Sequence, residues 1–348
     1  MRNSRPGPQS TGLFLLYVFL AAAVAFQAAA QETVMLVGVG TSLPEPLYNV
    51  WSEEFMKQDA HIHVRYLVRG TGEGMRSILS GSGDFGAGDA PIAEQDLKTS
   101  QVPIVELPSV LIGIVIVYNL SGAGDTINLT GPVLADIYLG KITNWADPEI
   151  ARLNHGAKLP SLPIFVVHRT EGKGSSYIFS DFLSKSSHEF QAKVGRSISP
   201  KWPVGAAEAR SEEMVGKVKA TPGAIGYTEL KWAVNSGLPC ARIRNPAGEY
   251  VNATVGTIAA AATASASKMT EDFRISLTDA PGKESYPISS FTWIYVQGKG
   301  KDPVRTKAVL TFLNWAFSDG QKVAVREGYA ALPAGVLEKV RAKMATIR

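Results

Sequence analysis

Residues 107–118 read LPSVLIGIVIVY, a run of almost unbroken apolar character rich in Val and Ile. Its apolar residues are continuous instead of alternating, as expected of a strand buried on both faces or crossing between domains. A second β-rich stretch, Phe291–Val296, lies near the C-terminus. If the chain leaves one domain near Tyr118 and returns near Pro287, the segment between them forms its own lobe. That gives two crossovers and a cleft, with lobe I over residues 31–118 and 288–348 and lobe II over 119–287. Helices expected over Thr306–Phe317 and Ala334–Ala345 complete lobe I.

Upstream of this run, strand and helix patterns alternate, which argues for an α/β architecture. Val34–Val39 is a short apolar strand. Ser42 stands where a helix N-cap belongs, and Leu47, Val50, Trp51 and Phe55 follow at helical spacing. Val64, Tyr66 and Val68 alternate with Arg65 and Leu67, an imperfect period of two that reads as a strand. Gly70–Gly74 breaks the chain, and Met75, Ile78 and Leu79 resume a helical face. Asp84–Ala87 reads as another short buried strand. The Ala-rich tract Ile258–Ala266 reads as a packed or partly exposed helix, and no internal repeat of fixed period is apparent.

Arg2 and Arg5, the apolar run Leu13–Val24 and the small residues Ala28-Ala29-Ala30 have the order of an export signal, with cleavage expected before Gln31. The run is short of the ~20 apolar residues needed to span a bilayer. Residues 1–30 are therefore read as a signal peptide and the remainder as a periplasmic protein. That remainder, about 318 of the 348 residues, is long for one core and suggests two domains. Without Arg2 and Arg5 the 35 basic residues fall to 33 against 31 acidic ones, so no strong basic patch argues for nucleic acid. The single cysteine, Cys240, is read as a small core residue.

Three loops share one chemistry. Gly38-Val39-Gly40-Thr41-Ser42, Gly70-Thr71-Gly72-Glu73-Gly74 and Gly172-Lys173-Gly174-Ser175-Ser176 each follow a strand and precede a helix. Glycine lets backbone amides approach a ligand, and a helix start presents unpaired N–H groups at a positive dipole end. Hydroxyls add donors, so three such loops converging make an anion site with little net charge. Any one of them alone is an ordinary turn or cap. Arg169, just after the strand Pro163–Val167, can clamp an oxyanion with two parallel hydrogen bonds. Glu171 is positioned to hold that guanidinium, and Asp89 lies at a strand end, where ligands of α/β proteins gather; each also reads as a surface pair or a cap.

Other motifs fail. Leu43 stands where a dinucleotide fingerprint needs its third glycine, and Gly174 follows Lys173 where a P-loop needs Ser or Thr. His61 and His63 share a strand face without further ligands nearby, so neither a metal nor a cofactor is expected.

Several blocks in order resemble the phosphate-binding proteins of bacterial high-affinity phosphate ABC transporters. They are Gly38–Pro44, Asp84–Pro91, Asp136–Ile142, Lys201–Gly205, Pro222–Tyr227 and Tyr286–Ile288. The resemblance implies a type II periplasmic binding protein fold, each lobe a mixed sheet flanked by helices, closing over a dehydrated phosphate. It implies that Ser42 and Thr71 are hydroxyl donors, Leu43 a backbone-amide donor, Asp89 the acceptor carboxylate, Arg169 the charged clamp, and Gly174 and Ser175 third-loop donors. Thr41, Glu171 and Lys173 would support them. Lys173 replaces a frequent Ser, so only its backbone donor carries over, and Glu171 replaces a shorter Asp. The implied partners are inorganic phosphate and a permease–ATPase complex of the inner membrane, with the chain acting as a monomer and not as an enzyme. The rival readings are a binding protein for sulfate or molybdate, a secreted phosphatase with Arg169 as its clamp, and a signalling or adhesion module that reports phosphate.

Overall fold

The structure is a computed structural model describing residues 33–122 and 126–348. The expected signal peptide over residues 1–30 lies outside the described residues.

The strands are β1 (Val34–Gly40), β2 (Ile62–Val68), β3 (Phe85–Gly88), β4 (Ile104–Tyr118), β5 (Asn128–Leu129), β6 (Phe165–Arg169), β7 (Ala206–Glu208), β8 (Ala224–Glu229), β9 (Arg242–Arg244), β10 (Tyr250–Val251) and β11 (Ser289–Gln297). Eight of them form one mixed sheet in the order β2-β1-β3-β11-β4-β8-β6-β7, and β10-β9-β5 form a small second sheet. The fold class read from the sequence is the one observed.

The run 107–118 is the spine of this sheet. From Ile104 to Gly113, β4 pairs antiparallel with β11; from Ile114 to Tyr118 it pairs with β8. One long strand therefore belongs to both halves, and all of it beyond Ile104 is buried, which is why its sequence is continuously apolar. On one side of it β1, β2 and β3 run parallel; on the other, β6, β7 and β8 do. Their carboxyl ends carry Gly40, Gly88, Arg169 and Glu229 toward the junction, where open α/β sheets place ligands.

Each half has its own aromatic core. In the first, the helix Glu45–Gln58 sets Phe55 against Phe312 and Trp315 of the helix Pro303–Ala316. In the second, Tyr138, Phe179, Trp202 and Tyr227 pack together, with Phe179 and Tyr227 ring centroids 4.6 Å apart. Each such ring contributes roughly 1.5–3 kcal/mol by burial. Phe179 lies on the helix Gly174–Ser186, so this core fixes the element that carries the third glycine loop.

The helix after β1 starts later than expected. Its N-cap is Pro44, without a side-chain cap, and Ser42 lies outside it. Pro44 disfavours helical backbone at Leu43, so the helix cannot begin directly after Ser42. The strand expected over Pro163–Val167 lies at Phe165–Arg169 and includes the arginine. A further short helix, Asp319–Arg326, was not read from the sequence. Cys240 is half-buried, and burial pushes its thiol up to about 11. Among the described residues no helix is long and apolar enough to cross a membrane.

Candidate functional site

The first two loops are tied together by backbone. Gly40 O accepts from Arg69 N at 2.9 Å and Gly70 N at 2.8 Å, and Thr41 N donates to Ala87 O. Gly70 has φ 99°, a left-handed value that favours glycine, and the helix Thr71–Ser80 starts directly after it. These contacts bring Thr41, Thr71 and the end of β3 to one point.

Asp89 occupies that point and is fully buried. Thr41 Oγ1 donates to its Oδ2 at 2.5 Å, Thr71 Oγ1 donates to Oδ2 at 3.4 Å, and Thr292 Oγ1 donates to Oδ1. The Asp89 N–H in turn donates to Thr71 Oγ1 at 3.3 Å. Burial lifts the carboxyl to about 7, opposed by the three hydroxyls and reinforced by the nearby charge of Glu229.

The third loop comes from the other half of the sheet. Lys173 is the N-cap residue of Gly174–Ser186, and its side chain does not cap it. The first amides of that helix, like those of any helix start, lack intrahelical partners, and Gly174 opens it at the seam. Gly174 packs directly on Asp89: a Cβ there would stand 2.6 Å from Thr71 Oγ1 and 2.5 Å from the Asp89 Cβ. Across the same seam Gly72 N donates to Gly172 O at 3.4 Å.

Arg169 ends β6 and is 2 % exposed. Its Nε donates to Glu208 O at 3.3 Å, Nη2 to Ala209 O at 2.9 Å, and Nη1 to Ser211 Oγ at 2.8 Å and Ser175 Oγ at 3.5 Å. Glu229 Oε1 lies 3.9 Å from Nη1 and accepts from Ser211. Glu171, expected to hold the guanidinium, is exposed and makes no such contact. It stands in the turn beyond β6, whereas Glu229 is buried at the end of β8 beside the arginine.

A cleft of about 420 Å³ opens here, lined by Thr41, Ser42, Leu43, Arg169, Gly174 and Ser175 among others. Five of the seven residues expected to contact the ligand thus share one hollow. Thr71 and Asp89 do not line it; they form the layer directly behind Gly174 and Thr41. Lys173 is half-buried in the cleft wall, and burial followed by the charge of Arg169 lowers its ammonium below the usual lysine range. Three site residues were missed from the sequence: Ser211, Glu229 and Thr292. A polar residue inside the apolar run Phe291–Val296 was a signal for Thr292, and a carboxylate closing an apolar strand was one for Glu229. Ser211, at the start of a helix, carried none. Among the described residues no group of His, Cys, Asp and Glu is arranged to hold a metal ion.

A family model described as a PBP superfamily domain matches residues 27–320. The phosphate-binding protein PstS of Xylella fastidiosa is 34% identical over 316 residues, which cover 90% of this chain and 86% of that protein. PstS of Pasteurella multocida is 35% identical over 312 residues, covering 89% and 90%. Among solved structures, the phosphate-binding protein of Stenotrophomonas maltophilia superposes with a TM-score of 0.68 at 18% identity, covering 89% of this chain and 94% of that one. With repeated glycine loops at one seam, a buried arginine and this similarity over most of its length, the chain belongs to the PstS family of phosphate-binding proteins within the PBP superfamily.

Proposed function

We propose that this chain captures inorganic phosphate in the cleft between its two lobes and delivers it to an ABC permease for import. Lobe I comprises residues 31–118 and 288–348, lobe II residues 119–287. The observation that carries this reading is the meeting, at one seam, of Arg169 and the helix start at Gly174 with the carboxylate of Asp89. Ser42, Leu43 N, Gly174 N and Ser175 supply donors, and Arg169, held by neutral oxygens on its outer edges, supplies the charge. A small movement of Gly174 and rotation of Thr41 and Thr71 would let the anion reach Asp89 and turn both hydroxyls toward it. Glu171 takes no part.

Selectivity follows from proton bookkeeping at Asp89. Near neutral pH phosphate retains a hydrogen and can donate it to the carboxylate, whereas sulfate has none. A buried polar group left without its partner costs about 1–3 kcal/mol, more when charged, so discrimination is roughly fivefold to several-hundredfold. This favours phosphate over sulfate or molybdate on the same scaffold. The chain acts in the periplasm as a monomeric binding protein and not as an enzyme, and its closed form is what the permease complex receives. Calorimetric titration of the protein with phosphate tests the reading: one-to-one binding is expected, and no heat up to millimolar phosphate rejects it.

A further inference from the structure

Between the helix Val255–Ser265 and β11 the chain forms a strap whose residues 274–278 contact both the segment that follows Asp89 and the helix Gly174–Ser186. At one end Arg274 pairs with Glu106 of β4, Nε at 2.9 Å, and its Nη2 donates to Ile92 O at 2.6 Å. Glu106 also accepts from Ile92 N at 2.6 Å. Ile92 lies three residues beyond Asp89, so this cluster clamps the segment that carries the acceptor carboxylate. Two and four residues on, Ser276 and Thr278 both donate to Asp181 Oδ2, and Lys185 Nζ donates to Ser276 Oγ and Thr278 Oγ1, each at 2.7 Å. Asp181 and Lys185 belong to the helix Gly174–Ser186, whose first turn supplies the third-loop donors.

The strap is also held at and beside these ends. Phe273 and Leu277 are buried, and Phe273 and Asp279 have φ of 57° and 60°, a left-handed region unusual for residues with side chains. Such geometry persists only where surrounding contacts over-determine it. Asp181 is held well by charge as well: Lys185 and Arg196 Nη1 each lie 3.2 Å from it, and together with the hydroxyls they outweigh burial and keep its carboxyl below the usual range.

We infer that Arg274, Ser276 and Thr278 are positioning residues that hold the Asp89 segment and the helix Gly174–Ser186 in register, and so set anion affinity without touching the anion. The inference rests on the phosphate-site reading above. A site assembled from two lobes loses affinity when either half drifts, because the cost of ordering it is then met by ligand binding.

The test is phosphate calorimetry and small-angle scattering, with and without phosphate, on Ser276→Ala/Thr278→Val. Asp181 keeps Lys185 and Arg196 in that variant, so folding is preserved. Phosphate affinity is expected to fall roughly tenfold to a hundredfold, with a smaller phosphate-induced compaction, while Ser276→Thr/Thr278→Ser restores both. Parent-like affinity and compaction in the first variant overturn the inference, as does a loss of affinity that the hydroxyl-bearing variant does not restore. Arg169→Lys is the control: if it too binds phosphate like the parent, the site reading fails and not the strap alone.

Discussion

Gly174 stands against Asp89 so closely that no side chain fits between them: the position of a Cβ on Gly174 lies only 2.5 Å from that of Asp89. The start of the helix Gly174–Ser186 is thereby laid on the carboxylate that follows β3. Gly174→Ala would have to push the two apart, and overpacking of this kind typically costs about 1–3 kcal/mol. Phosphate affinity is expected to fall at least roughly tenfold, measured by calorimetry; an unchanged affinity would show that the seam need not be this tight.

The Arg169 network gives a paired prediction. Ser211 accepts from Arg169 and donates its hydroxyl hydrogen bond to Glu229, whereas Glu171 is exposed and apart. Ser211→Ala leaves a buried guanidinium N–H without its partner, a loss of about 1–3 kcal/mol and roughly fivefold to a hundredfold in phosphate affinity. Glu171→Ala should leave affinity within about twofold, since exposed charges contribute little. The reverse ranking in a titration would restore Glu171 to the site.

Much of this was legible in the sequence. Continuous apolar runs gave β4 and β11, and the repeated Gly-hydroxyl loops marked segments that meet around one cleft. What was not legible depended on contacts between distant segments. Ser42 looked like a cap, yet the backbone restriction imposed by Pro44 moved the helix start to Glu45. Glu171 looked like the partner of Arg169 because it is two residues away, but the turn after β6 carries it outward, and Glu229, sixty residues on, is delivered by the parallel pairing of β6 with β8. That Asp89 is shared by Thr41 just after β1, Thr71 opening the helix after β2 and Thr292 within β11 follows from the sheet order β2-β1-β3-β11, which local patterning does not encode.

Burial lifts the Asp89 carboxyl from 3.8 to about 7. The folded state then holds a proton that the unfolded chain releases near pH 4, so stability falls as pH rises from about 4 through about 7 and stays lowered above it. Asp89→Asn removes this dependence. Chemical denaturation should show the variant gaining on the parent across that window, by up to about 4 kcal/mol. Parallel profiles for the two proteins would mean that Asp89 ionises normally.

Lys173 adds a second cation beside Arg169, and Arg169 in turn disfavours its charged form. An anion between them relieves that repulsion. Lys173→Ser is expected to weaken phosphate binding roughly three- to tenfold at low salt, with the difference shrinking at high salt because the ammonium is half-exposed. Equal affinities at low salt would place the ammonium outside the reach of the anion.

The most direct measurement is a titration of the parent and Asp89→Asn with phosphate and with sulfate at pH 8, where the parent's carboxylate is ionised. The parent should bind phosphate and reject sulfate, and the amide, able to donate a hydrogen, should admit sulfate and narrow the gap by roughly tenfold or more. A variant that still excludes sulfate as strongly as the parent would contradict the proposal that Asp89 demands a hydrogen from its guest.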